Sequence, residues 1–136
     1  LILDLDYFKA VNDKFGHDVG DRVLVETASL IDGLSGEHLV YRIGGEEFCI
    51  ALHDTGSNEA RDKAEQLRQA IESYRFNNEE NPIALTASIG VYYCNHFSNL
   101  ESVLKAADKE LYKAKKNGRN QVMVYCDDEQ AQLHFI

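Results

Sequence analysis

The residues in this chain best suited to chemistry are acidic and fall in two separated segments, Asp4-Leu5-Asp6 and Gly44-Gly45-Glu46-Glu47-Phe48. Apolar runs at residues 39–43 and 48–52 read as strands, which puts the two glycines and two glutamates at a hairpin tip. Glycine accepts backbone angles that a Cβ forbids and lets a bulky ligand come close to the main chain. Adjacent glutamates at such a tip repel: at about 4 Å and an effective dielectric near 20, two like charges cost roughly 4 kcal/mol. A cation turns that repulsion into attraction. A solvated acidic turn is the competing explanation for the tip alone. Residues 1–6 alternate, so Leu1, Leu3 and Leu5 face one side of a strand while Ile2, Asp4 and Asp6 face the other. Carboxylates at a strand end opposite an acidic hairpin suit a hard divalent cation, since Mg²⁺ favours a few carboxylates completed by phosphate oxygens and water. Nucleotidyl-transfer chemistry uses such an ion to activate a hydroxyl and neutralise departing pyrophosphate. Ligation is assigned here to Asp4, and Asp6 is read as the N-cap of a helix that begins at Tyr7.

The remaining pattern supplies the scaffold. Helices are expected over residues 7–15, broken at Gly16, and 20–34, where Val23, Leu24, Thr27, Ala28 and Ile31 recur at helical spacing. Ser57 reads as the N-cap of a helix with Ala60, Ala64, Leu67, Ile71 and Tyr74 on one stripe. Residues 77–82 read as a loop and 83–93 as one alternating strand. Ser98-Asn99-Leu100-Glu101 reads as a capping box opening a helix with Leu100, Val103, Leu104, Ala107 and Leu111 inward. Gly118 ends that helix, and residues 121–125 form a last strand. The order β-α-α-β-β-α-β-α-β predicts an α+β fold, a largely antiparallel sheet flanked by helices, like the palm of nucleotidyl cyclases and polymerases. Phe15, Phe48 and Tyr112 are expected to be core.

These segments together carry a family resemblance. Asp4 to Lys9, Asn12 to Asp21, Arg42 to Phe48, Ser88 to Val91, and Ala107-Asp108 through Lys115 to Gly118-Arg119-Asn120 closely resemble the GGDEF family of diguanylate cyclases, here as the variant Gly-Gly-Glu-Glu-Phe. The likeness runs from residue 1 to about residue 126, leaving residues 127–136 as a tail. It implies the condensation of two GTP into cyclic di-GMP with release of two pyrophosphates, using Mg²⁺ or Mn²⁺. By motif position Asp4, the Leu5 carbonyl and Glu46 resemble the metal ligands, with Glu47 as a further candidate ligand. Glu46 and Glu47 resemble the catalytic pair, Glu47 activating the ribose 3′-hydroxyl. Asn12 and Asp21 resemble the guanine readers, and their carboxylate and amide suit guanine's donors and acceptor. Adenine would leave a buried group there unpaired, which favours GTP over ATP. Phe8 and Leu24 resemble the apolar pocket wall, and Lys9, Lys115 and Arg119 the phosphate contacts, helped by main-chain amides near Tyr7 and Phe8.

Arg42 is read as structural or regulatory, His17 as a support for the base pocket, and His38, His53, His96 and His134 as surface. The sequence also departs from the family pattern. Where many members carry the inhibitory Arg-x-x-Asp, this chain has Ser35 and His38, so product feedback through that turn is expected to be absent.

Composition fits one domain of this kind. The chain has 136 residues, enough for one core, and a formal net charge of −9 that argues against nucleic acid as a partner. The same acidity, with no basic aromatic sheet face, sets aside a ferredoxin-like RNA-binding module. Cys49, Cys94 and Cys126 lack metal-type spacing and read as buried, reduced thiols of a cytoplasmic domain. No run reaches membrane-spanning length, so no membrane contact is expected from this domain. The chain opens on a strand without an initiator methionine, which suggests a fragment behind an upstream sensory or dimerisation domain. Catalysis on two nucleotides implies a homodimer. The alternative to an active cyclase is a weak module that binds GTP or cyclic di-GMP for regulation.

Overall fold

The computed structural model describes residues 1–79, 81–95 and 99–127. Its elements are β1 (Ile2–Leu5), α1 (Phe8–Phe15), α2 (His17–Ser35), β2 (Leu39–Gly44), β3 (Glu47–Ala51), α3 (Ser57–Ser73), β4 (Arg75–Phe76), β5 (Ile83–Ala84), β6 (Ala87–Cys94), α4 (Leu100–Lys116) and β7 (Val122–Asp127). Five strands form one sheet in the order β2-β3-β1-β6-β7, and β4 pairs only with β5. All sheet pairings are antiparallel except β6 with β7. Parallel neighbours need a crossover, and α4 supplies it.

The alternation of the first strand divides the core as its pattern demands. Leu3 and Leu5 join Phe8, Val23, Ile31, Phe48, Leu67, Ile71 and Ile89 in the main cluster. Ile2 lies on the opposite face with Ala107 and Leu111 of α4. Each such side chain contributes about 1.5–3 kcal/mol through burial. Helix α4 approaches the sheet closely at Gly90, where a Cβ would lie 2.3 Å from the Ala107 carbonyl oxygen. Among the described residues, no helix is long and apolar enough to cross a membrane.

Several local expectations are corrected. The predicted strand 83–93 is two strands, because residues 83–84 pair with β4 outside the main sheet and the chain enters that sheet only after Thr86, whose carbonyl accepts from the Asp6 amide at 2.9 Å. The predicted loop at 77–82 joins β4 to β5, with Asn77 turned by a φ of 55° and its amide donating to Glu26 at 2.9 Å. Helix α2 begins three residues earlier than expected, at His17. Gly56 rather than Ser57 is the N-cap of α3. Helix α4 is capped by Asn99, whose side chain accepts from the Ser102 amide at 2.8 Å, in place of the capping box read from Ser98, which lies outside the described residues. Leu100 is exposed because it sits at the helix start, ahead of the turn that meets the sheet. Tyr112 is 60% exposed, its ring 5.5 Å from the Lys116 ammonium on the solvent face. Cys49, Cys94 and Cys126 are in no disulfide and are half-buried, where full burial was expected. Strand β7 continues to Asp127, and residues 128–136 lie outside the described residues.

Candidate active site

Antiparallel pairing of β1 with β3 sets Asp4 directly opposite Glu47, while β6 places Ser88 on the other side of Asp4. The hairpin tip is fixed by the Leu5 amide donating to the Glu46 carbonyl at 3.4 Å and by the Arg42 Nε donating to the Gly45 carbonyl at 3.0 Å. Arg42 thus makes a structural contact at the tip. Gly45 has a φ of 50°, and a Cβ on Gly44 or Gly45 would meet no atom within 4 Å. The glycines therefore leave open space above the tip rather than relieving crowding.

Asp4 is 3% exposed and accepts a hydrogen bond from Lys115 Nζ of α4 at 2.6 Å. Burial pushes the Asp4 carboxyl above its usual pKa, the Lys115 ammonium pulls it back, and the charge of Glu46 adds a further upward push. Glu47 is raised by burial first, then by the charges of Asp4 and Asp108, while the Lys115 ammonium pulls it back. Carboxyls from two segments thus converge on one place, with a lysine as the cation between them. Among the described residues no group of three or more His, Cys, Asp or Glu side chains is arranged to hold a metal ion outright. An all-oxygen set of two carboxylates still fits a hard cation that takes its other ligands from substrate phosphate and water.

The residues expected to read and flank a base come from the α1–α2 hairpin. A Cβ on Gly20 would lie 1.8 Å from Asn12 Oδ1 and 3.4 Å from Phe8 Cζ, so this glycine lets the two helices close around the Asn12 amide. Asp21 and Leu24 line an open cleft of about 720 Å³ between α2 and the β2–β3 hairpin, with Val40, Arg42 and Phe48 on its other wall. Asn12 and Phe8 do not line this cleft; they pack beside Gly20 between the two helices. Lys9 is exposed on α1, and the Arg119 guanidinium lies 4.8 Å over the Tyr7 ring.

Asp6 is the principal correction. It caps nothing: the α1 N-cap is Tyr7, in the left-handed region and without a side-chain cap bond. The Asp6 carboxylate is instead buried and accepts from Thr86, Ser88 and Asn120. Sequence reasoning gave no role to Asp108, Ser88 or Asn120, although all three stand within the matched motifs. His17 is exposed at the start of α2. His38 is half-buried rather than at the surface, its ring edge-on to His53 at 5.1 Å. Ser35 donates its hydroxyl to the Ile31 carbonyl at 2.6 Å, within its own helix. His96 and His134 lie outside the described residues.

A palm-like sheet with acidic residues at the β1–β3 junction and an open cleft beside it defines a nucleotidyl-cyclase type of domain. The family model described as "Diguanylate cyclase, GGDEF domain" matches residues 1–121, and this chain belongs to that family. It is 39% identical over 125 residues to a diguanylate cyclase of Vibrio cholerae, an alignment covering 90% of this chain and 38% of that protein. It is 37% identical over 129 residues to diguanylate cyclase DosC of Escherichia coli, covering 92% and 28%. The chain therefore spans little more than a third of the length of these curated relatives, or less. Among solved structures, the active GGEEF domain of a Vibrio cholerae diguanylate cyclase matches at 38% identity and a TM-score of 0.79, covering 93% of this chain and 81% of that one. The GGDEF domain of DgcB from Caulobacter crescentus, in complex with c-di-GMP, matches at 30% identity and a TM-score of 0.82, covering 90% and 74%.

Proposed function

We propose that this chain condenses two GTP molecules into cyclic di-GMP, each of two copies presenting one nucleotide to the other. The observation that carries the reading is the β1–β3 register that opposes Asp4 to Glu47 with Glu46 beside them. In each half-reaction the 3′-oxygen of one GTP bonds to the α-phosphorus of the other, the bond to the β-phosphate breaks, and pyrophosphate leaves. Asp4, Glu46 and the Leu5 carbonyl would hold Mg²⁺ or Mn²⁺. Bound there, the ion would acidify the 3′-hydroxyl and neutralise charge on the phosphates.

Glu47 takes the 3′-hydroxyl proton; a carboxyl raised by burial and neighbouring charge is a better base near neutral pH than an exposed one. Lys115 moves from Asp4 to the triphosphate, joined by Lys9 and Arg119. Asp21 and Asn12 read the guanine edge, and Phe8 and Leu24 pack against its face. The inhibitory turn has no arginine, so cyclic di-GMP does not feed back through Ser35 and His38.

The test is incubation with GTP and Mg²⁺ followed by chromatography of the products. The reading expects cyclic di-GMP and two equivalents of pyrophosphate, and a loss of at least about a hundredfold in rate for Glu46→Ala. Unchanged turnover in Glu46→Ala would refute the metal assignment. Bound GTP without any product, in the presence of metal, would instead favour the regulatory module. The ion pair between Lys115 and Asp4 gives that second reading its support, because it neutralises part of the site from within.

A further inference from the structure

Asp6 is a buried carboxylate to which the proposed reaction assigns no role. Asp6 is 2% exposed. Its Oδ1 accepts from the Ser88 hydroxyl at 2.7 Å, and its Oδ2 from the Thr86 hydroxyl at 2.7 Å and the Asn120 main-chain amide at 3.0 Å. Burying a carboxylate is costly unless its lone pairs are occupied, and here three donors occupy them. The donors come from β6, the segment just before it and the turn between α4 and β7.

Both turns that meet at Asp6 hold unfavourable backbone. Tyr7, the next residue, has a φ of 58°, and Arg119 and Asn120 have φ values of 64° and 46°. None is a glycine, and such conformations persist only where the surroundings impose them. The Asn120 side chain reaches further out, accepting from Arg68 of α3 at 2.8 Å and donating to Glu72. The Arg119 guanidinium over the Tyr7 ring joins the same two turns a second time.

These turns lead directly into the residues assigned to the triphosphate. Lys9 follows Asp6 by three positions, while Lys115 and Arg119 precede Asn120. We propose that Asp6 is a positioning residue: by gripping the Asn120 amide it locks the α4–β7 turn to the β1–α1 turn and sets the spacing between the two halves of the phosphate grip. It touches no nucleotide itself. The inference rests on the phosphate-binding roles proposed above for Lys9, Lys115 and Arg119. It adds a residue that the sequence presents as a helix cap.

The test compares the full chain with its Asp6→Asn variant, which keeps the size but aims an amide donor at donors. Calorimetry would measure binding of tripolyphosphate with Mg²⁺ and, separately, of guanosine; kinetics would give KM and kcat for GTP. Asp6→Asn is expected to weaken tripolyphosphate about tenfold, the effect of losing one charge-assisted hydrogen bond, and to raise KM for GTP in step. Guanosine affinity should stay within about twofold. Equal losses for guanosine and tripolyphosphate would mean that Asp6 only supports the fold, and unchanged tripolyphosphate affinity would mean that it positions nothing; either overturns the proposal. Should Asp6→Asn fail to fold, Thr86→Val removes one donor from the same oxygen, and the same comparison decides. A parent chain that binds neither tripolyphosphate nor GTP would overturn the phosphate roles first and this inference with them.

Discussion

At the scale of single residues, the raised carboxyls have a consequence for stability. Asp4 and Glu47 both sit above their ordinary pKa, with burial the leading cause. Between the ordinary and the raised value the folded chain binds more protons than the unfolded one. Stability therefore falls as pH climbs through that window, and the full contribution is present only below it. Glu47→Gln removes one of these groups. Its melting temperature at pH 7 should exceed that of the parent chain, and the difference should shrink towards zero as pH is lowered below the ordinary glutamate range. A melting series across pH checks this; a variant less stable at pH 7 would contradict it.

The same residues show what spacing alone reveals. The meeting of Asp4 with the Glu46-Glu47 tip was legible because two carboxylate segments bounded by apolar runs announce strands that carry them. Asp6 was misread because a carboxylate before a helix is ordinarily a cap, and its partners Thr86 and Asn120 lie 80 and 114 positions away.

At the scale of elements, two glycines serve different contacts and predict different failures. At Gly90 an added Cβ would strike backbone of α4 at 2.3 Å, which cannot yield cheaply. Gly90→Ala should cost about 1–3 kcal/mol of stability or more, read as a lower denaturation midpoint. At Gly20 the added Cβ would strike the Asn12 side chain, which can swing aside. Gly20→Ala should therefore fold, yet on the role proposed for Asn12 it should weaken GTP binding by about tenfold through displacement of that amide. Comparing denaturation curves with GTP titrations separates the two. Equal stability losses in both variants would show that Gly20 serves only helix packing.

The helices and the main sheet were legible from periodicity, which reports burial on a single face. The β4–β5 pair was not, since two-residue strands carry no period and their pairing depends on Asn77, Glu26 and Arg22 meeting across the fold. Nor did periodicity separate Leu100 and Tyr112 from the core, because apolar residues at a helix start or on its outer face satisfy the pattern without meeting the sheet.

At the scale of the molecule, the proposed reaction has a single palm offer one set of acidic residues and one cleft for guanine, whereas cyclic di-GMP contains two guanylate units. Turnover per molecule should therefore rise with protein concentration and level off once paired copies dominate. Rates measured over a dilution series check this; turnover independent of concentration would place both nucleotides on one copy or indicate a dimer that survives every dilution.

The most direct measurement is a crystal of this chain soaked with Mg²⁺ and a non-hydrolysable GTP analogue. The expected density is a metal ion joining Asp4 and Glu46 to phosphate oxygens, guanine against Asn12 and Asp21, and Lys115 moved from Asp4 onto the triphosphate. A nucleotide bound elsewhere, with Lys115 still on Asp4 and no ion beside Glu46, would contradict it.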